Sequence, residues 1–160
     1  MSFFTLSFLI RLLTATLGTL AFAIIFRVDK RHLPWVSLSG LFTYFLFYTV
    51  SYFGGSIFLS ALLSTAFTAL FGEIAARIFH APVLLYLLTG CIPIVPGGDV
   101  YYSMKYLLEG NTVLAGQKLL QTAEAALGIA GGIVLVSVLF GLYSDAIAAK
   151  KQKKAKKKAE

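Results

Sequence analysis

The residues best suited to chemistry in this chain are two carboxylates, Asp99 and Glu124, set among long apolar segments. Asp99 directly follows Pro96, Gly97 and Gly98, so it falls in the first turn of the helix that resumes after them. A carboxylate there is stabilised by backbone amides and by the positive end of the helix dipole. Asp99 is therefore either a helix cap or, in a membrane pore, a group that binds a proton or a cation.

Glu124 belongs to a polar stripe on the predicted last helix. Gln117, Gln121, Glu124 and Gly128 follow one another at spacings of four, three and four, which places them on one helical face. Charged residues inside membrane segments are costly and often mark ion or substrate pathways. We therefore take Asp99 and Glu124 as the candidate proton-carrying groups.

The segment before Asp99 must interrupt a helix. Pro93 and Pro96 lack amide hydrogens and clash with the preceding turn, and Val95 is driven out of helical dihedrals by the proline after it. The apolar stretches 83–95 and 100–108 are each too short for a hydrocarbon core about 30 Å thick, but together they just span it. The sequence thus predicts one span broken near its middle.

A broken helix in lipid is tolerated only where the break faces protein or a water-filled cavity. Such breaks commonly form substrate sites, because the second half-helix presents its positive end to a ligand. The alternative is a purely structural kink. On the first interpretation the candidate substrate-binding residues are those of the break and the turn after it: Pro93, Pro96, Gly97, Gly98, Asp99, Tyr101 and Tyr102.

The elements that position these residues are apolar helices. The chain is 58% hydrophobic and 13% charged, against about 25% charged in soluble domains. The pattern predicts an all-α, polytopic membrane protein with a transmembrane domain at 1–149 and a basic tail at 150–160. Its five expected spans are 3–26, 35–53, 57–79, 83–108 (broken at Pro93, Pro96 and Gly97) and 120–144.

The basic residues fall mainly on one side of this arrangement. Arg27, Lys30 and Arg31 follow the first span, Arg77 ends the third, and a run of lysines follows the fifth. The positive-inside rule therefore places the N-terminus outside and the C-terminus in the cytoplasm. The lysine run is read either as a contact for anionic membrane lipid or as a disordered, solvated tail, and no nucleic-acid partner is expected.

The third predicted span carries small and hydroxyl residues every four positions: Ser56, Ser60, Ser64, Thr68 and Gly72. This pattern favours close helix packing over a polar lining. We expect a partner subunit or a second copy of the chain to cover this face and the Gly128–Gly132 face of the fifth span. Glu73 and Arg77, four residues apart, are expected to form an intramembrane ion pair, with an interfacial anchor as the alternative.

Enzyme chemistry has little support in the sequence. Glycine-rich phosphate loops, paired cysteines and histidine pairs with metal-ligand spacing are all missing. Cys91 is the single cysteine, so no intrachain disulfide can form. We expect neither a catalytic residue, nor a metal, nor a cofactor.

With the break and the topology in place, the chain resembles the C-terminal five-span module of the threonine/serine exporter family. The residues that carry the resemblance are 22–28, reading Phe-Ala-Ile-Ile-Phe-Arg-Val, then Ala76-Arg77, Ala81-Pro82, and 92–97, reading Ile-Pro-Ile-Val-Pro-Gly, with Tyr101 and Met104. Family members tend to have a small residue at position 99, so Asp99 departs from the pattern.

The resemblance implies a subunit of a secondary exporter in the bacterial inner membrane, without enzyme activity. Fused family members carry five further spans before this module, so it also implies a separately encoded larger subunit, in a hetero- or homo-oligomer. Relatives are linked to threonine and serine or to dicarboxylates such as succinate. The expected substrate is threonine or serine, with a dicarboxylate exporter or a non-transporting scaffold as the alternatives.

Overall fold

The computed structural model describes the backbone of residues 6–159 and the side chains of residues 6–143, and these residues form helices joined by short turns. A 3₁₀ turn, Ile92–Ile94, follows the fourth helix. The helices are α1 (Leu6–Ile25), α2 (Leu33–Tyr52), α3 (Ile57–Phe79), α4 (Val83–Cys91), α5 (Gly97–Leu108) and α6 (Thr112–Ala159).

Four of these helices are long and apolar enough to cross a membrane: α1, α2, α3 and the part of α6 from Thr112 to Tyr143. The segment from Val83 to Ile94 and α5 pass the same test together and are bent by 45° at the residues between them. Counted as one broken span, they complete the five. The predicted all-α fold with a broken fourth span is confirmed.

The break has the local cause that the sequence predicts. Val95, which precedes Pro96, is extended with φ −64° and ψ 125°, and it interrupts the helical path between the 3₁₀ turn and α5. Pro93 lies inside the 3₁₀ turn, where its missing amide costs little. Pro96 then sets the residue from which α5 begins.

α3 and α6 run parallel and approach each other closely. A Cβ atom at Gly128 would lie 2.5 Å from the Phe58 carbonyl oxygen, and one at Gly132 would lie 2.6 Å from that of Leu62. The glycine face of α6 is therefore covered by α3 of the same chain. The expectation that a partner subunit covers this face is wrong, because the two small-residue helices satisfy each other.

The hydroxyl stripe of α3 faces the remaining helices. Ser60, Ser64 and Thr68 are fully buried and donate to carbonyl oxygens one turn back on their own helix. Thr68 also shares a 2.5 Å hydrogen bond with Thr43 of α2. Because these hydroxyls are consumed in bonds within the bundle, the arrangement is that of packed helices.

α6 extends beyond the predicted fifth span, 120–144, in both directions. Its backbone is helical from Thr112 through the lysine run to Ala159. The expectation of a disordered tail is not met, because residues 142–159 contain neither glycine nor proline and are rich in alanine and lysine, which favour helix.

Candidate functional site

A cavity of about 450 Å³ lies beside the break in the fourth span. Pro93 to Pro96 form one wall, and the first turn of α5 with Gly98, Asp99 and Tyr102 forms another. The remaining lining comes from the end of α2, the start of α3 and α6: Phe47, Ser51, Ile57, Lys118 and Ala125. The break thus opens onto a space bordered by four other elements.

An ion pair inside this cavity joins α5 to α6. Lys118 Nζ donates to Asp99 Oδ1 at 2.8 Å and to Gln121 Oε1 at 2.8 Å. Each of the two charged side chains is about one-third exposed, Lys118 at 33% and Asp99 at 32%. The pair is therefore accessible from the cavity rather than sealed in the protein.

A helical hairpin brings Asp99 and Lys118 together. α5 ends before Gly110, which adopts φ +76°, a conformation that glycine allows without strain. Asn111 Oδ1 then accepts from the Leu114 amide at 3.1 Å and so caps the start of α6. The chain reverses at this turn, so positions on either side of it face each other across the two helices.

The predicted substrate-binding residues are only partly gathered at the cavity. Pro93, Pro96, Gly98, Asp99 and Tyr102 line it. Gly97 begins α5, and Tyr101 is 65% exposed and packs edge-on against Tyr102; neither of the two is part of the lining.

The polar stripe of α6 is divided between different surroundings. Glu124 is exposed on the surface of α6, although its neighbour Ala125 lines the cavity. Gln121 binds Lys118, whereas Gly128 packs against α3. The structure therefore brings Asp99 into the cavity and leaves Glu124 outside it.

Glu73 and Arg77 lie together at the other end of α3. Arg77 Nη2 is 3.6 Å from Glu73 Oε2, and the guanidinium carbon lies 4.8 Å from the centre of the Phe140 ring on α6. A cation over an aromatic face is attracted by the ring quadrupole. These contacts tie the last turn of α3 to α6.

Arg11, on α1, lies near the break on the side away from the Asp99 cavity. With Thr14, Ala15 and Tyr44 it lines a second cavity of about 320 Å³ that also reaches Pro93. Pro93 therefore borders both spaces. The Arg11 side chain thus lines a cavity that also borders the break.

Lys118 is not among the candidate residues that the sequence predicts. The signal that could have found it is the helix–turn–helix pattern around Gly110, because Asp99 and Lys118 lie on either side of that turn. Ser51 and Phe47 carried no such signal, since their place beside the break depends on how α2 crosses α4.

The fold and this site define a class: multi-span helical membrane proteins with a discontinuous helix that borders a cavity containing an ion pair. The family model described as Threonine/Serine exporter, ThrE, matches residues 11–139. The chain therefore belongs to the threonine/serine exporter family, a family of membrane transporters. No curated protein and no solved structure matches the chain.

Gly98→Ala is expected to affect stability and transport in opposite directions. An added Cβ there meets nothing within 4 Å, and Gly98 has ordinary helical dihedrals, so alanine fits the backbone and is expected to raise stability by up to about 1 kcal/mol. Transport should nevertheless fall, because the new methyl group enters the cavity between Pro96 and Asp99.

Gly116→Ala is the matched control, since it is equally unhindered on α6 and lies outside the cavity lining. Thermal unfolding in detergent and transport in membrane vesicles measure the two effects separately. Equal transport by both alanine variants would show that the first turn of α5 does not contact the substrate.

Proposed function

We propose that this chain is the membrane subunit of a secondary exporter for threonine and serine, and that a separately encoded larger subunit completes it. The observation that carries the proposal is the cavity at the break. It holds an accessible carboxylate, that of Asp99 on α5, and an accessible ammonium, that of Lys118 on α6. Substrate sites of secondary transporters commonly lie at such discontinuous helices.

The need for a second subunit is supported by the surfaces of α1 and α5. α5 buries only Ser103 and exposes apolar and aromatic side chains elsewhere. On α1, Gly18 faces open space and Thr14, one turn away, is exposed. Small residues at this spacing let another helix approach closely, so this face suits a helix of a partner better than lipid.

The proposed location is the bacterial inner membrane, with the N-terminus outside and the C-terminus in the cytoplasm. Arg27, Lys30, Arg31 and Arg77 lie at one end of the bundle, where positive charge marks the cytoplasmic side. α2 and α3 meet at the opposite end, and the cavity reaches the last turns of α2 and the first residue of α3. In this orientation the cavity lies nearer the outer face.

Co-production of the chain with the larger subunit tests the function in cells loaded with threonine-containing dipeptides. We expect intracellular threonine to fall and external threonine to rise only when both subunits are present. Unchanged threonine and serine would contradict amino-acid export. A change in succinate efflux instead would identify a dicarboxylate exporter, and no change in either would identify a scaffold.

Coupling to protons belongs to the same proposal, with Asp99 as the proton-carrying group because it is the carboxylate in the cavity. In vesicles with an imposed pH gradient, Asp99→Asn should abolish gradient-driven flux, whereas Glu124→Gln should retain it because Glu124 lies outside the cavity. Full gradient-driven flux in Asp99→Asn would exclude this role for Asp99.

A further inference from the structure

We propose that Asp99 and Lys118 form an exchangeable ion pair that recognises the two charged groups of a zwitterionic amino acid. This inference rests on the proposed export function and specifies how its substrate is bound. The substrate ammonium takes the place of Lys118 at Asp99, and the substrate carboxylate takes the place of Asp99 at Lys118. When no substrate is bound, Asp99 and Lys118 pair with each other.

The geometry supplies the partners that each substrate group requires. Lys118 Nζ donates to Asp99 Oδ1 and to Gln121 Oε1, each at 2.8 Å. A substrate ammonium, which has three donors like that of lysine, can donate to the same two oxygens. The first turn of α5 bears the positive end of its dipole, although its Val100 amide donates to the Pro96 carbonyl oxygen at 3.2 Å and its Gly97 amide to that of Val95 at 2.8 Å. A substrate carboxylate beside Lys118 gains from that end as well.

The charge balance of the cavity selects among substrate classes. Its two charged lining residues sum to zero, which matches a zwitterion with one ammonium and one carboxylate. A dicarboxylate would bring two negative groups to a cavity with one cation and would set one of them against Asp99. Like charges at short distance repel strongly where water is partly excluded, so the pair disfavours dicarboxylates.

A second ion pair on α5 shows the contrast with a surface pair. Lys105 Nζ on α5 and Oε1 of Glu109, the residue that follows this helix, are 3.8 Å apart, and both side chains are about half exposed. Asp99 and Lys118 instead come from two helices, are closer together, and line a cavity. An ion pair that only fastened α5 to α6 would not require the adjoining space.

Exchange of labelled for unlabelled threonine tests the inference in inside-out vesicles that contain the chain with its larger subunit. No pH gradient is imposed, so the measurement does not depend on proton coupling through Asp99. In the wild type, threonine should compete with the label more strongly than threoninamide, which lacks the carboxylate, and than 3-hydroxybutyrate, which lacks the ammonium. Each lost charge-assisted contact should weaken competition by about ten- to a hundredfold.

The variants should alter this pattern in opposite ways. Asp99→Asn should raise the KM for threonine and remove the disadvantage of 3-hydroxybutyrate, whereas Lys118→Gln should raise the KM and remove the disadvantage of threoninamide. A merely structural pair would give both variants the same loss for all three compounds. Lys105→Gln with Glu109→Gln is the control and should leave KM and competition unchanged.

Two results would overturn the inference without touching the proposed function. In the first, the wild type transports threonine, and both Asp99→Asn and Lys118→Gln keep the wild-type KM and the wild-type order of competition. The second is an identical, compound-independent loss in both variants, with unchanged thermal unfolding. Absence of threonine and serine uptake in wild-type vesicles is a different result, which overturns the proposed function and this inference together.

Discussion

Gly132→Leu is expected to separate α3 from α6 and to destabilise the folded chain by about 3 kcal/mol or more. The added Cβ alone would lie 2.6 Å from the Leu62 carbonyl oxygen and 2.9 Å from the Ala66 amide nitrogen. Both are backbone atoms of α3, so no side-chain rotation relieves the clash. The two helices would have to move apart along the face that Gly128 and Gly132 share.

The matched control is Gly116→Leu on the same helix, where an added Cβ meets nothing within 4 Å. Both substitutions carry the same gain in intrinsic helix propensity, so the difference between them reports packing. Reversible unfolding in mixed micelles measures it. Equal unfolding free energies for the two variants would show that α3 and α6 do not pack through these glycines.

Gly90→Ala is expected to produce the second large effect, at the crossing of α2, α3 and α4. A Cβ at Gly90 would lie 2.5 Å from Ser39 Oγ and 2.7 Å from Thr68 Cγ2. Ser39 and Thr68 are fully buried, so neither can swing into open space. Overpacking of this kind costs about 1–3 kcal/mol, and it should displace the 3₁₀ turn that leads into the cavity.

The same contacts predict two further substitutions that should restore the stability lost in Gly90→Ala. Ser39 Oγ has no hydrogen-bond partner among the described residues, so Ser39→Ala should cost little by itself and removes the nearest clashing atom. Thr68→Ser removes Cγ2 and keeps the hydroxyl that bonds Thr43. The triple variant should recover most of the stability and transport lost in Gly90→Ala. A triple variant as unstable as Gly90→Ala alone would place the damage elsewhere.

These two crossings relate the packing of the bundle to the site. α4 carries the 3₁₀ turn and the break, and Gly90 holds α4 against α2 and α3 just before them. α6 carries Lys118 and is fixed on α3 through Gly128 and Gly132. Asp99 and Lys118 can meet only if both crossings are in place, so each glycine should affect transport as well as stability.

The sequence by itself determined the features that have local causes. Long apolar runs define the spans because a hydrocarbon core requires them. The break follows from Val95 and Pro96, whose steric restriction acts on neighbouring residues alone. The turn at Gly110 and the cap at Asn111 are likewise set by residues within a few positions of one another.

Only the tertiary structure decided which of the marked residues share a site. Asp99 and Glu124 look alike in the sequence, but α6 turns Ala125 toward the cavity and leaves Glu124 exposed. Lys118 meets Asp99, and the glycine face of α6 meets α3 rather than a partner subunit. These outcomes depend on the rotation and crossing of helices distant in sequence, which interhelical packing sets and which no local pattern contains.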